Sequence, residues 1–362
     1  MRSRVLFIMH MPPPIHGAAM VGKYIHDSEL INSEFECFYI NPTTAKNLED
    51  VSKFRFGKLL DVFKLIKRIK AKVREIQPDL VYFTANAKGI PFYKDYLIVH
   101  TLKRLGCKVV IHYHNKGVST RQDRWLDNLL YKRFFKNIKI ILLAEALYKD
   151  IEKYVVREDV QICGNGIPDL KPSISPLRGE CMNLLYLSNM MADKGVWTLL
   201  DACKELKRRG IDFHCNFVGG WKDITEVAFN NAIRQMGLTE SVSAHGAKYG
   251  EEKEIFWQQA SLFIMPSFNE CFPLVILEAM QHQLPVVSTE IGGTPNIVVD
   301  GATGCLCPCK DTFALADAIE KLAKDRKRCT QMGEAGRRKY EEQFTLQAFE
   351  GRFVDCLKNV IE

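Results

Sequence analysis

Twice along the chain, short apolar runs alternate with longer stretches of helical periodicity, and this double alternation restricts the possible fold more than any other feature. Candidate strands fall at 5–10, 35–40, 80–84, 108–112 and 138–143. Each is a short, largely apolar run followed by a segment of helical periodicity. A Gly/Pro/Ser-rich stretch at 164–176 interrupts the series, which restarts with candidate strands at 183–188, 213–219, 262–265 and 286–289. At 362 residues the chain exceeds what one hydrophobic core normally supports. The expectation is two doubly wound α/β units, spanning 1–167 and 177–343. A last helical pattern, at 346–361, follows them. Open parallel sheets bind ligands at the carboxyl ends of their strands, so the functional residues belong there.

Composition narrows the class. Apolar residues make up 47% and aromatics 10%, values of a globular enzyme. The longest apolar runs fall far short of the ~20 residues of a membrane span, and Pro12–Pro14 follows the first apolar run too soon for a signal-peptide core. Twelve cysteines scattered through a chain of this length read as reduced thiols rather than a disulfide framework. Cys305, Cys307 and Cys309 alternate and, on a strand, would share a face. Their spacing lacks the Cys-x2-4-Cys pairs of a zinc site, so no metal is assigned.

The densest chemistry lies between Asn269 and Gly304. Glu270 and Glu278 bracket a helix start at Pro273, and a helix start is an anion site because its first N–H groups lack backbone partners. A diphosphate fits there, with one carboxylate for a sugar and one for a ribose. This stretch resembles the donor-binding region of the retaining glycosyltransferases of family 4, glycosyl transferases group 1, whose fold is GT-B. Their Glu-x7-Glu motif falls on Glu270 and Glu278. The context agrees: an aromatic at Phe272, Leu-Glu-Ala-Met at 277–280, and a Gly-Gly turn at Gly292 and Gly293 after the next strand.

The resemblance implies a GT-B enzyme with two Rossmann-like domains facing across a cleft. Residues 1–167 would bind the acceptor, residues 177–343 the nucleotide sugar, and a helix at 344–362 would pack back on the first. It places the glycine-containing loop around Gly17 and Ala18 near the donor phosphates, and a histidine at His114 near the donor sugar; a neutral or charged imidazole can bond a sugar hydroxyl. His112 and His16 rank below it. Lys194, followed by Gly195, would grip the diphosphate, whereas the family's neighbouring arginine is Asn189 here, which donates hydrogen bonds without charge. Other departures are Cys271 and Pro273 where glycines are common, Gln283 for a frequent glycine and Asn296 for a frequent acid.

Departure of a nucleoside diphosphate needs charge stabilisation. No Asp-x-Asp occurs, so the expected sources are Lys194, the helix start at Phe272–Leu274 and backbone amides near Gly17 and Gly292, in a reaction without metal or cofactor. Glu270 as covalent nucleophile would need a second carboxylate about 5–5.5 Å away. The favoured route is front-face transfer with retention: the departing phosphate oxygen takes the acceptor proton, Glu270 holds donor hydroxyls and Glu278 the ribose.

Net charge is +7, yet residues 51–150 hold 22 Lys and Arg against 8 Asp and Glu. Within 58–76, Leu59, Val62, Phe63, Ile66, Ile69, Val73 and Ile76 keep helical spacing while Lys64, Lys67, Arg68, Lys72 and Arg74 take other faces. That helix suits either a core position with a solvated basic face or peripheral contact with an anionic membrane at the inner, cytoplasmic side, where a lipid-linked glycan would be the acceptor. Nucleic acid is disfavoured, because no aromatic stacking platforms accompany the charge. A GT-B sugar-nucleotide epimerase or phosphorylase is the alternative. The resemblance points to bacterial surface polysaccharide synthesis with a UDP-sugar donor.

Overall fold

A computed structural model of the chain describes residues 2–13, 16–42, 57–170 and 181–362. The chain divides into two compact units, one of Met1–Gly166 with Leu346–Glu362 and one of Ile167–Thr345. The stretch at 164–176 lies outside the described residues from position 171 onward, as does position 177.

The first unit carries strands β1 (Arg4–Ile8), β2 (Glu36–Ile40), β3 (Leu80–Ala85), β4 (Val109–Tyr113), β5 (Lys139–Leu142) and β6 (Val160–Ile162), with helices α1 (Gly17–Asp27), α2 (Glu29–Glu34), α3 (Gly57–Ile76), α4 (Gly89–Arg104) and α5 (Trp125–Phe135). All six strands are parallel, in the order β2-β1-β3-β4-β5-β6. Every residue of β3 and β4 is buried, which accounts for their largely apolar composition.

The second unit carries β7 (Met182–Leu187), β8 (Phe213–Val218), β9 (Val242–Ala244), β10 (Leu262–Met265), β11 (Val286–Thr289) and β12 (Gly304–Cys307). Its helices are α6 (Val196–Arg208), α7 (Glu226–Gln235), α8 (Gly250–Gln259), α9 (Leu274–Gln281), α10 (Thr294–Ile297), α11 (Thr312–Lys324) and α12 (Arg326–Gln343). Its strands are also all parallel, ordered β12-β11-β10-β7-β8-β9. Leu184, Tyr186, Leu199, Phe217, Phe229, Ile264 and Leu315 lie in its continuous core.

Both sheets are doubly wound, as the alternation requires, but their strand orders differ. The second has the Rossmann order, whereas the first places β2 outside β1 and continues through β3, the flavodoxin-like order. Chain direction across the sheet therefore reverses between β1 and β3 in one unit and between β7 and β10 in the other. Those two crevices, at the carboxyl ends of the strands, are where ligands bind in open α/β sheets.

Helix α13 (Leu346–Ile361) returns to the first unit. Its Phe353 is fully buried, with ring centroids 6.4 Å from Phe7, 5.2 Å from Tyr82 and 6.2 Å from His112. The sheet of the first unit thus draws part of its cover from the far end of the sequence. Among the described residues, no helix is long and apolar enough to cross a membrane.

Candidate active site

In the second unit, the residues singled out in the sequence converge on the β7/β10 crevice. The chain leaves β7 through Asn189 and a short turn to Lys194, and leaves β10 through Pro266 and Ser267 to Glu270. Across the crevice, Lys194 Nζ donates to Glu270 Oε1 at 2.7 Å, with the side chains 23% and 15% exposed. Two backbone features hold the loops at this separation. Phe268 N–H donates to Asp193 O at 2.8 Å. Gly195 has φ +76°, and a Cβ there would lie 2.0 Å from Pro266 O, so only glycine lets the Lys194 turn sit this close.

The Glu270 loop is seated from below by the Gly-Gly turn. Gly293 N–H donates to Cys271 O at 2.7 Å. Gly292, at φ +58°, approaches so closely that a Cβ would stand 2.1 Å from Glu270 O. Phe272, buried, packs edge-on against Phe344 with centroids 6.0 Å apart. Pro273 is the N-cap of α9, one position before the first helical amide, so its missing N–H takes nothing from the amides of Leu274 and Val275, which have no acceptor within the helix. The helix ends at Gln281 with His282 as its C-cap, and the next residue, Gln283, has a φ of +53° in the left-handed region; the position favours glycine, and this chain accepts a strained residue there. Asn296 carries its contact through the backbone, its carbonyl accepting from Lys339 Nζ at 2.8 Å.

Glu278, in the second turn of α9, pairs with Lys253 of α8, Nζ to Oε2 at 2.8 Å, with exposures of 28% for Lys253 and 26% for Glu278. Both carboxylates of the Glu-x7-Glu pair therefore face lysines. Asn189 is exposed, and its carbonyl accepts from Tyr186 Oη at 3.2 Å. Behind it, Gly219 lets β8 approach β7: a Cβ on Gly219 would lie 1.7 Å from Ser188 O.

In the first unit, histidines gather at the carboxyl edge. His112, one residue before the end of β4, is fully buried, with Nδ1 2.8 Å from Tyr82 Oη. His114 follows on the same face, its ring centroid 4.2 Å from that of His112. Burial holds His114 down to about 3, with His10 and His16 adding repulsion. Burial, then Lys94 and His16, holds His10 down to about 4. Both rings are neutral at pH 7, so His114 exchanges hydrogen bonds without charge. His16, which the sequence gave no role, is the N-cap of α1: its Nδ1 accepts from Ala19 N–H at 3.3 Å. Gly17 and Ala18 open that helix.

Of the three alternating cysteines, Cys305 and Cys307 lie on β12 and Cys309 beyond its end; Cys307 Sγ donates to Ala314 O at 3.5 Å. Among the described residues, no group of three or more His, Cys, Asp or Glu is placed to hold a metal.

Residues 172–339, nearly all of the second unit, match the family model of glycosyl transferases group 1. The amylovoran biosynthesis glycosyltransferase AmsK of Erwinia amylovora is 28% identical over 72% of this chain and 68% of its own. The putative colanic acid biosynthesis glycosyltransferase WcaL of Escherichia coli is 24% identical over 74% and 71%. Among solved structures, Anabaena HepE in complex with UDP superposes with a TM-score of 0.77 at 16% identity, over 98% of this chain and all of that one. The chain is a glycosyltransferase with the GT-B fold. Its relatives by sequence include enzymes of bacterial polysaccharide biosynthesis.

Lys253 escaped the sequence reading. It stands 25 positions before Glu278 in an acidic helical turn, Glu251-Glu252-Lys253-Glu254, and no local pattern marks it.

Proposed function

We propose that the chain is a retaining, family 4-type transferase that moves a sugar from a UDP-sugar to a hydroxyl of a glycan or polyprenyl-linked glycan in bacterial surface polysaccharide synthesis. The observation that carries the donor site is the Lys194–Glu270 pair across the β7/β10 crevice, beside the free amides of Leu274 and Val275. On this reading the diphosphate meets those amides and Lys194, so charge that develops on the leaving group finds fixed donors. Glu270 turns from Lys194 to the donor hydroxyls, and Glu278 takes the ribose. Asn189, Phe272, Gly292 and Gly293 shape the pocket, Gly17 and Ala18 add backbone donors, and His114 bonds a sugar hydroxyl as a neutral imidazole. Transfer proceeds on the front face, the departing phosphate oxygen taking the acceptor proton, without metal.

UDP is favoured because HepE was solved with UDP and with UDP-glucose. The acceptor class follows the relatives in amylovoran and colanic acid biosynthesis. Contact with an anionic membrane at its cytoplasmic face is supported by α3, where Leu60 and Phe63 are 64% and 65% exposed beside exposed Lys64, Lys67 and Arg68.

A thermal-shift panel of UDP-, GDP- and ADP-sugars tests the donor, since a ligand of the folded state alone raises Tm. A UDP-sugar should stabilise the wild type and fail to stabilise Glu278→Ala. Equal stabilisation of both proteins would remove Glu278 from the site, and conversion of the sugar nucleotide without acceptor would favour an epimerase.

A further inference from the structure

The pairing of Glu278 with a lysine bears on how the nucleoside end of the donor is held. A carboxylate that receives a ribose diol must be fixed in direction and must not repel the diphosphate beside it. Glu278 alone satisfies neither condition, since it stands on a helix surface, partly exposed, with three rotatable bonds.

Lys253 supplies both. Its ammonium takes Oε2 of Glu278 at 2.8 Å and leaves Oε1 directed by that bond. The base of Lys253 is itself fixed, because α8 is fastened to α9 one residue further on. Glu254 meets His282 Nε2 at 3.0 Å, His282 Nδ1 meets Glu278 O at 2.7 Å, and the His282 ring stacks on buried Trp257 with centroids 5.3 Å apart and planes at 17°. Lys253 is thus presented from a braced helix rather than a loop, the arrangement that holds a binding group in direction.

We propose that Lys253 is a positioning residue of the donor site, aiming Glu278 at the ribose and cancelling its charge beside the diphosphate; this rests on the donor-site reading above. With Lys253 neutralised, Glu278 becomes an uncompensated anion next to a polyanionic ligand and loses its direction. Nucleotide affinity falls, whereas fold stability changes little, because a partly exposed ion pair is screened by solvent and adds little to folding.

The test measures UDP binding by calorimetry to the full-length wild type, Lys253→Met, Lys253→Arg, Glu278→Gln and the Lys253→Met/Glu278→Gln double variant, with Tm recorded for each. Lys253→Met should bind UDP about tenfold more weakly at near wild-type Tm, an electrostatic loss of the size expected for one charge at partial burial. Lys253→Arg should recover most of that loss. The double variant should bind no more weakly than Glu278→Gln, since Lys253 acts through Glu278. Unchanged or tighter binding by Lys253→Met, or losses that add in the double variant, would overturn the proposal. If Glu278→Gln alone leaves UDP affinity unchanged, the donor-site reading fails and takes this inference with it; if Glu278→Gln weakens binding and Lys253→Met does not, only the role of Lys253 is lost.

Discussion

Replacing Gly292 by alanine is the sharpest test of how the donor loop is built. Two costs arise. The first is conformational: at φ +58° an L-residue is disfavoured by about 1–2 kcal/mol. The second is steric. The new Cβ would lie 2.1 Å from Glu270 O, and real Cβ atoms essentially never come within 3.0 Å, so the Glu270 backbone must retreat by about 1 Å. A displacement of that size at a substrate-positioning residue costs on the order of 100-fold in rate. Gly210 separates the two effects, because it has φ +72° but nothing within 4 Å of its Cβ position. Gly210→Ala pays the first cost alone. The assay follows UDP release from a UDP-sugar, with Tm by calorimetry. Gly292→Ala should lose about 100-fold in turnover and about 5–10 °C in Tm, while Gly210→Ala loses only a few degrees and keeps its turnover. If Gly292→Ala matches Gly210→Ala in turnover, the seat beneath Glu270 does not govern the site.

Phe353→Ala removes a fully buried ring from the cover of the first sheet, so its unfolding free energy should fall by about 3–5 kcal/mol in denaturant titration; a loss below 1 kcal/mol would show that α13 is dispensable to that sheet. His10 and His114 have folded-state pKa values depressed to about 4 and about 3, below an unfolded value of 6.5. The unfolded chain therefore binds the extra protons, and stability present above pH 6.5 is lost as pH falls toward 4. Between pH 7 and pH 5 each should account for about 1–2 kcal/mol, and a His10→Asn/His114→Asn double variant should show a flatter profile; equal slopes for variant and wild type would refute the assignment. Lys194→Met should weaken UDP binding by about 10–100-fold, read by calorimetry, and wild-type affinity would exclude contact between Lys194 and the diphosphate. Leu60→Glu with Phe63→Glu should abolish co-sedimentation with vesicles rich in anionic lipid while leaving turnover of a soluble donor unchanged; retained co-sedimentation would move the contact off α3.

The legible parts of the fold were those written in local pattern. The candidate strands at 262–265 and 286–289 coincide with β10 and β11, and the pattern at 346–361 is α13, because an uninterrupted buried run or a clear 3.6-residue period leaves little choice. Strands β6, β9 and β12 were not read, being three or four residues long and only partly buried. The order of the first sheet was illegible as well, since β2 lies outside β1 through long-range pairing that no local pattern encodes. The same division runs through the site. Glu270, Glu278 and the Gly-Gly turn stand close together in sequence and were visible as a motif. Lys253, the seat of Gly292 against Glu270 O, and the capping role of His16 depend on which elements the fold brings together.

The return of α13 has a consequence for biogenesis. A ribosome delivers the first 166 residues long before Leu346–Ile361 emerges, yet the early sheet lacks the wall that Phe353 provides until then. The earlier unit is therefore completed only when this later helix emerges, and until then the apolar surface around Phe7 and Tyr82 lacks the cover that Phe353 gives it.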